Sequence, residues 1–198
     1  MNIVFDLGKV LIEWDPRHVY GKVFNDDVKM EWFLAEVCSN DWNLEQDRGR
    51  SLDDGVAEAT SRHPEYGREI AMYRDRWMEM VPGDIAGSVE VLEDLHDLGV
   101  PLFAVTNWNG DTFRMTKARF GFLSLFKDIV VSGDEKIIKP DPAIFQLLAG
   151  RNGIDLKDSL FIDDSMKNVR GAEAVGMKGH HFTSPLELRA DLMRRGVL

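Results

Sequence analysis

Four short apolar runs, Asn2–Phe5, Pro101–Val105, Ile129–Val131 and Ser159–Ile162, are each followed by polar or glycine residues and then by a stretch of helical period. That alternation constrains the chain to an α/β fold, a doubly wound parallel sheet with helices on its faces. The helices between the runs carry their own punctuation. Ile85, Val89, Leu92, Leu95 and Leu98 recur at helical spacing ahead of the second run, and Gly99 stands where a left-handed stop belongs. Asp141-Pro142 offers an N-cap and a first-turn proline to a helix with Ile144, Phe145 and Leu148, ended near Gly150 and Gly153. Val169, Ala172 and Val175 line a third helix, stopped by Gly176.

Between Leu11 and Pro82-Gly83 the strand-like runs vanish. Trp32, Phe33, Leu34, Trp42, Tyr73 and Trp77 are expected to form the core of inserted helices, one starting at the capping box Ser51-Leu52-Asp53-Asp54. The expected organisation is an α/β core over residues 1–13 and 83–198, with a helical insertion over 14–82. A length of 198 residues suits one core plus such an insertion.

Residues just after the strands of a doubly wound sheet converge on one crevice. Here those residues are Asp6, Thr106-Asn107, Lys139-Pro140 and Asp163-Asp164, so three carboxylates, a hydroxyl, an amide and an ammonium are expected in one pocket. Each element alone is ordinary: an Asp after a strand is often a cap, Lys-Pro a helix approach, Asp-Asp a solvated loop. Their joint placement at four strand ends is what points to a site. Crowded carboxylates repel unless a cation neutralises them, and an all-oxygen set without His or Cys favours a hard ion, Mg²⁺ before Zn²⁺. His18, His63, His96, His180 and His181 share no spacing with the carboxylates and read as surface or packed groups.

Charge limits the partners. With 24 Lys+Arg against 34 Asp+Glu the net charge is −10, a field that repels nucleic acid and anionic membrane, so a phosphate group must be held locally. Cys38 has no partner for a disulfide, the first residues reach Asp6 after three apolar positions, and no apolar stretch approaches a membrane span. The expectation is a cytoplasmic protein that meets no membrane; its oligomeric state is not legible.

The four sites resemble, in order, the motifs of the haloacid dehalogenase (HAD) superfamily: Val4-Phe5-Asp6-Leu7-Gly8, Val105-Thr106-Asn107, Lys139-Pro140-Asp141-Pro142, and Phe161-Ile162-Asp163-Asp164-Ser165 with Asn168. The likeness runs over nearly the whole chain, and the family's helical cap is inserted where the texture changes. Asp6-Leu7-Gly8-Lys9-Val10 is similar to the first motif of one capped branch, usually described as containing sugar-phosphate phosphatases. The resemblance implies a hydrolase that acts on a small phosphorylated molecule, with Asp6 as the nucleophile that becomes phosphorylated. It implies Mg²⁺ held by Asp6, the Gly8 carbonyl and Asp164, with Asp163 as a ligand or a partner through water. Thr106, Asn107 and Lys139 would bind the phosphoryl oxygens, and Asn168 would support Lys139 or Asp164.

Gly8 departs from that pattern. Most phosphatases of the family place a second aspartate two residues after the nucleophile, to protonate the leaving oxygen and later activate water. Asp15 is the nearest candidate substitute, although it reads more readily as an ordinary turn before Pro16. A 2-haloacid dehalogenase using the same Asp nucleophile is the alternative enzyme, since a halide needs no acid; Arg48 would then hold the substrate carboxylate, or else be a solvated residue of the insertion. The Asp163-Asp164 pair argues for metal and against that reading. A phospho-acceptor module has a similar acidic site in a different order, and a catalytically impaired binding protein is the further non-enzyme option. Trp108 either walls the pocket or packs under the insertion.

Overall fold

A computed structural model of the chain describes residues 1–198. Five parallel strands, β1 (Asn2–Phe5), β2 (Leu102–Thr106), β3 (Asp128–Val131), β4 (Ser159–Asp163) and β5 (Lys178–His181), form one sheet in the order β3-β2-β1-β4-β5. β1 is central, and the order reverses on either side of it, which opens a crevice at the carboxyl ends of β1, β2 and β4. Val4, Phe5, Ala104, Val105, Phe161 and Ile162 have no exposed surface, as strands covered on both faces require.

α1 (Arg17–Tyr20), α2 (Asp27–Glu36), α3 (Asn40–Asp47), α4 (Leu52–Arg62) and α5 (Gly67–Asp75) follow β1 before the chain returns to the sheet. Ser51 caps α4 as its sequence requires, accepting from the Asp54 N–H at 3.0 Å and donating to the Asp54 carboxylate at 2.7 Å. The remaining helices are α6 (Ala86–Asp97), α7 (Gly110–Lys117), α8 (Ser132–Glu135), α9 (Pro142–Asn152), α10 (Met166–Ala174) and α11 (Pro185–Arg194). The expected stops hold: Gly99, Gly153 and Gly176 all have positive φ.

Two chain crossings join the inserted helices to the sheet, and they are hydrogen-bonded to each other. Glu13 N–H donates to the Gly83 carbonyl at 2.9 Å, Asp15 N–H to Met80 at 3.0 Å, and Ile85 N–H to Leu11 at 2.9 Å. One apolar cluster of 35 buried residues spans both sides, from Ile3 and Phe5 of the sheet to Tyr20, Phe33, Trp42 and Tyr73 of the helices.

Three details differ from the sequence expectation. β5 is an additional edge strand, whose Lys-Gly-His-His has no apolar run to announce it. Leu98 lies 63% exposed, since α6 turns Ser88, Val91, Leu92 and Leu95 inward instead. Trp32 is 42% exposed, resting on Tyr66 with ring centroids 5.6 Å apart, whereas Trp42 and Trp77 are buried.

Candidate active site

The end of β1 delivers Asp6 to the centre of the crevice. Its Oδ1 accepts from the Leu7 backbone N–H at 2.7 Å and pairs with Lys139 Nζ at 2.8 Å; no hydrogen bond engages Oδ2. The chain then turns sharply. Lys9 N–H bonds to the Ile12 carbonyl at 2.7 Å, and Lys9 itself takes φ +60°. Gly8 is outside the left-handed region, and a Cβ built on it meets nothing within 4 Å.

Lys139 lies between two carboxylates, 2.8 Å from Asp6 Oδ1 and 2.7 Å from Asp163 Oδ2, with its ammonium fully buried. Burial alone would lower its pKa, but Asp163 and Asp6 outweigh burial and hold it above the ordinary lysine value. Asp163 is spent on structure. It accepts from Ser165 N–H at 2.7 Å and from Asn168 Nδ2 at 3.1 Å to each oxygen, besides the lysine. The Asn107 side chain clamps the lysine backbone from the other side, accepting from Lys139 N–H at 2.8 Å and donating to the Lys139 carbonyl at 3.1 Å.

Carboxylate oxygens of Asp6, Asp163 and Asp164 lie within 4.8 Å of one another. Burial pushes the Asp6 pKa up; Lys139 opposes this, while Asp163 and Asp164 reinforce it. Asp164 is likewise raised, by burial and then by Asp163. Three carboxylates against one buried ammonium leave a surplus of negative charge. A hard divalent cation on oxygen ligands fits this surplus and a softer ion does not. Thr106 Oγ1, buried at the end of β2 with no hydrogen-bond partner, is an orphan that a bound oxyanion would satisfy.

Above this floor is a cavity of about 330 Å³, and only Trp14, Leu44 and Trp108 of its fifteen lining residues are hydrophobic. Asp6, Gly8, Asn107, Trp108, Lys139, Asp164 and Asn168 line it; Thr106 and Asp163 are buried and do not. Trp108 serves both roles read from its position, lining the cavity and packing 6.5 Å from Trp77 and 5.8 Å from Phe113.

Two sequence candidates sit elsewhere. Asp15 borders a neighbouring cavity and is occupied in the turn before α1, its Oδ1 accepting from Arg17 N–H at 2.8 Å and pairing with the Arg17 guanidinium at 3.3 Å. Arg48 is half exposed beside Glu45 at 3.7 Å and does not line the active cavity, because it follows the last turn of α3 on the solvent side. Of the lining residues that sequence reasoning missed, four come from that same helix: Asn40, Asn43, Leu44 and Asp47 line the cavity at positions i, i+3, i+4 and i+7. That spacing on one helical face was the available signal.

A buried lysine thus bridges two aspartates at the carboxyl edge of a parallel sheet, beneath a polar cavity. The chain belongs to the haloacid dehalogenase-like hydrolases, whose family model matches residues 1–176. It is 27% identical to the sesquiterpene phosphatase astK of Aspergillus oryzae over 184 residues, 92% of this chain and 90% of that protein. It is 30% identical to a phosphoglycolate phosphatase of Pectobacterium atrosepticum over 106 residues, which is 50% of this chain and 45% of that enzyme. Among solved structures, the magnesium complex of the HAD family enzyme BT-2542 of Bacteroides thetaiotaomicron superposes with a TM-score of 0.75 at 21% identity, covering 98% of each chain. No helix of this chain is long and apolar enough to cross a membrane.

Proposed function

We propose that this enzyme is a Mg²⁺-dependent phosphatase that cleaves a small, polar phosphate monoester through an aspartyl-phosphate on Asp6. The observation that carries this reading is the bridge of Lys139 between Asp6 and Asp163 beside Asp164, with oxygens of the three carboxylates within 4.8 Å. Asp6, the Gly8 carbonyl and Asp164 would hold the ion, and Asp163, already bonded by Ser165, Asn168 and Lys139, would act through water. Bound there, the ion neutralises charge between nucleophile and phosphate and stabilises the transition state.

The chain's own groups divide the remaining work. Leu7 N–H and Lys139 fix Oδ1 of Asp6, which leaves Oδ2 to attack phosphorus. Thr106 Oγ1, the Asn107 backbone and Lys139 receive the phosphoryl oxygens. Asn107 and Asn168 act through Lys139 and Asp163, whose positions they fix. Residues 14–82 act as the cap over the core of residues 1–13 and 83–198, and α3 presents its polar face to the rest of the substrate. A cavity lined largely by Asn, Asp, Lys and Ser suits a hydroxylated metabolite better than a terpenyl chain. A cytoplasmic setting accords with the single, buried Cys38.

Incubation with a panel of phosphate monoesters, sugar phosphates included, tests the reading. Phosphate release in Mg²⁺, lost in chelator and restored by Mg²⁺, is expected. Halide release from a 2-haloacid in chelator would replace it with dehalogenation.

A further inference from the structure

We propose that Asp47, delivered by α3, is the proton donor and acceptor of the reaction, taking the place of the acid missing at Gly8. The inference rests on the phosphatase reading of the same cavity. Asp47 lines the cavity with Asp6, Gly8 and Lys139, yet is only 6% exposed. Its Oδ2 accepts from Asn43 Nδ2 at 3.1 Å, and Asn43 Oδ1 in turn accepts from Tyr73 Oη at 2.9 Å. No side chain donates to Oδ1, and no base or cation is paired with this carboxyl. Burial without a paired cation favours the protonated form of a carboxyl. Burial pushes Asp47 up to about 7; the Asn109 backbone and Lys139 lower it, and Asp6 raises it.

The position is built rather than incidental. Ser132 Oγ donates to the Asp47 carbonyl at 2.6 Å, and Asn109 Nδ2 donates to the carbonyls of Gln46 at 3.2 Å and Arg50 at 3.1 Å. Both donors sit just beyond sheet strands, so the end of α3 is fastened to the active-site edge. Gly49, at φ +107°, allows this approach: a Cβ there would lie 2.9 Å from the Gly133 carbonyl oxygen. Two residues of a catalytic scaffold are thus spent on holding one carboxyl in place.

The steps balance. Asp6 Oδ2 attacks phosphorus, the bond from phosphorus to the ester oxygen breaks with its electron pair passing to that oxygen, and the oxygen takes the Asp47 proton. Water then attacks the aspartyl-phosphate and gives its proton to the Asp47 carboxylate. The bond from phosphorus to Asp6 breaks, which regenerates both carboxyl groups and releases inorganic phosphate.

The test compares kcat/KM in Mg²⁺ for 4-nitrophenyl phosphate, whose leaving group departs as an anion, with glycerol 2-phosphate, whose alkoxide needs a proton. Asp47→Asn is expected to lower the alkyl value roughly 10²–10⁴-fold and the aryl value by less than about tenfold. Gly8→Asp added to Asp47→Asn should recover part of the alkyl loss, because the site beside Gly8 is open. Equal losses on both substrates, or no loss, overturn the assignment. If Asp47→Asn does not fold, the wild-type dependence of kcat/KM on leaving-group pKa decides: shallow supports an internal acid, steep overturns it. A wild type that hydrolyses no monoester rejects the phosphatase reading itself, whereas a wild type that does so while Asp47→Asn matches it rejects only the role of Asp47.

Discussion

Asp163 and Asp164 are adjacent in sequence and opposite in task. Asp163 is enclosed and satisfied by Lys139, Ser165 and Asn168, while Asp164 is partly exposed and lines the cavity. Removing Asp163 strips a buried ammonium of one partner and leaves two donors unmet. Asp163→Ala should therefore lower unfolding free energy by about 3–5 kcal/mol, read as a shifted urea midpoint. Asp164→Ala relieves repulsion from its neighbour, so stability in chelator should hold or rise while Mg²⁺ affinity by calorimetry falls. A larger loss of Mg²⁺ binding in Asp163→Ala would reverse the ligand assignment. Asp47 makes a third case at this scale, with a sign set by its raised pKa. Between about pH 4 and 7 the folded chain keeps the Asp47 proton and the unfolded chain has released it, so stability falls as pH rises through that window. The full effect of one such carboxyl is about 4 kcal/mol. Asp6 and Asp164 are raised in both proteins, so the difference in midpoint between wild type and Asp47→Asn reports Asp47: the variant should gain relative stability on going from pH 5 to pH 8.

At the scale of elements, the candidate site forms where strand ends and one helix end meet. β1, β2 and β4 announce themselves in the sequence because strands buried on both faces must be runs of apolar residues, and the polar residue that ends each run is the one the crevice needs. β5 escapes this logic: it pairs with β4 alone, so Lys178 and His181 stay exposed and nothing forces an apolar pattern. The contribution of α3 escapes for a different reason. Amphipathic reading looks for an apolar stripe facing inward, and here the inward face at Asn40, Asn43 and Asp47 is polar because it lines a cavity. Looking for a lone cation instead selects Arg48, one residue past the buried carboxyl and turned toward Glu45. The junction itself is testable at Gly49. Gly49→Ala places a methyl against the Gly133 carbonyl in a backbone conformation that alanine resists, and should cost about 1–3 kcal/mol. Alkyl-phosphate turnover should fall more than aryl turnover, with far-UV circular dichroism unchanged. Equal activity on both substrates in a stable Gly49→Ala protein would separate this loop from proton transfer.

Across the whole molecule, sheet and inserted helices share one apolar cluster, and the two crossings between them are hydrogen-bonded. Contiguous burial couples their stabilities, so urea unfolding followed by Trp fluorescence, which reports mainly the inserted segment because four of the five tryptophans lie in residues 14–82, should coincide with circular dichroism in a single transition. Two separated transitions would show that the segments fold independently. The molecule's net charge of −10 repels phosphate at long range, so affinity for a phosphoryl group must come from the buried floor where Lys139 and the Asp cluster meet. Everything proposed for that floor turns on a covalent bond at Asp6. The most direct measurement is peptide mapping by mass spectrometry after rapid acid quench of the enzyme turning over a phosphate monoester in Mg²⁺. A phosphoryl group on the peptide that carries Asp6, absent from Asp6→Asn protein that has lost turnover, is the expected result; turnover by Asp6→Asn at the wild-type rate would contradict it.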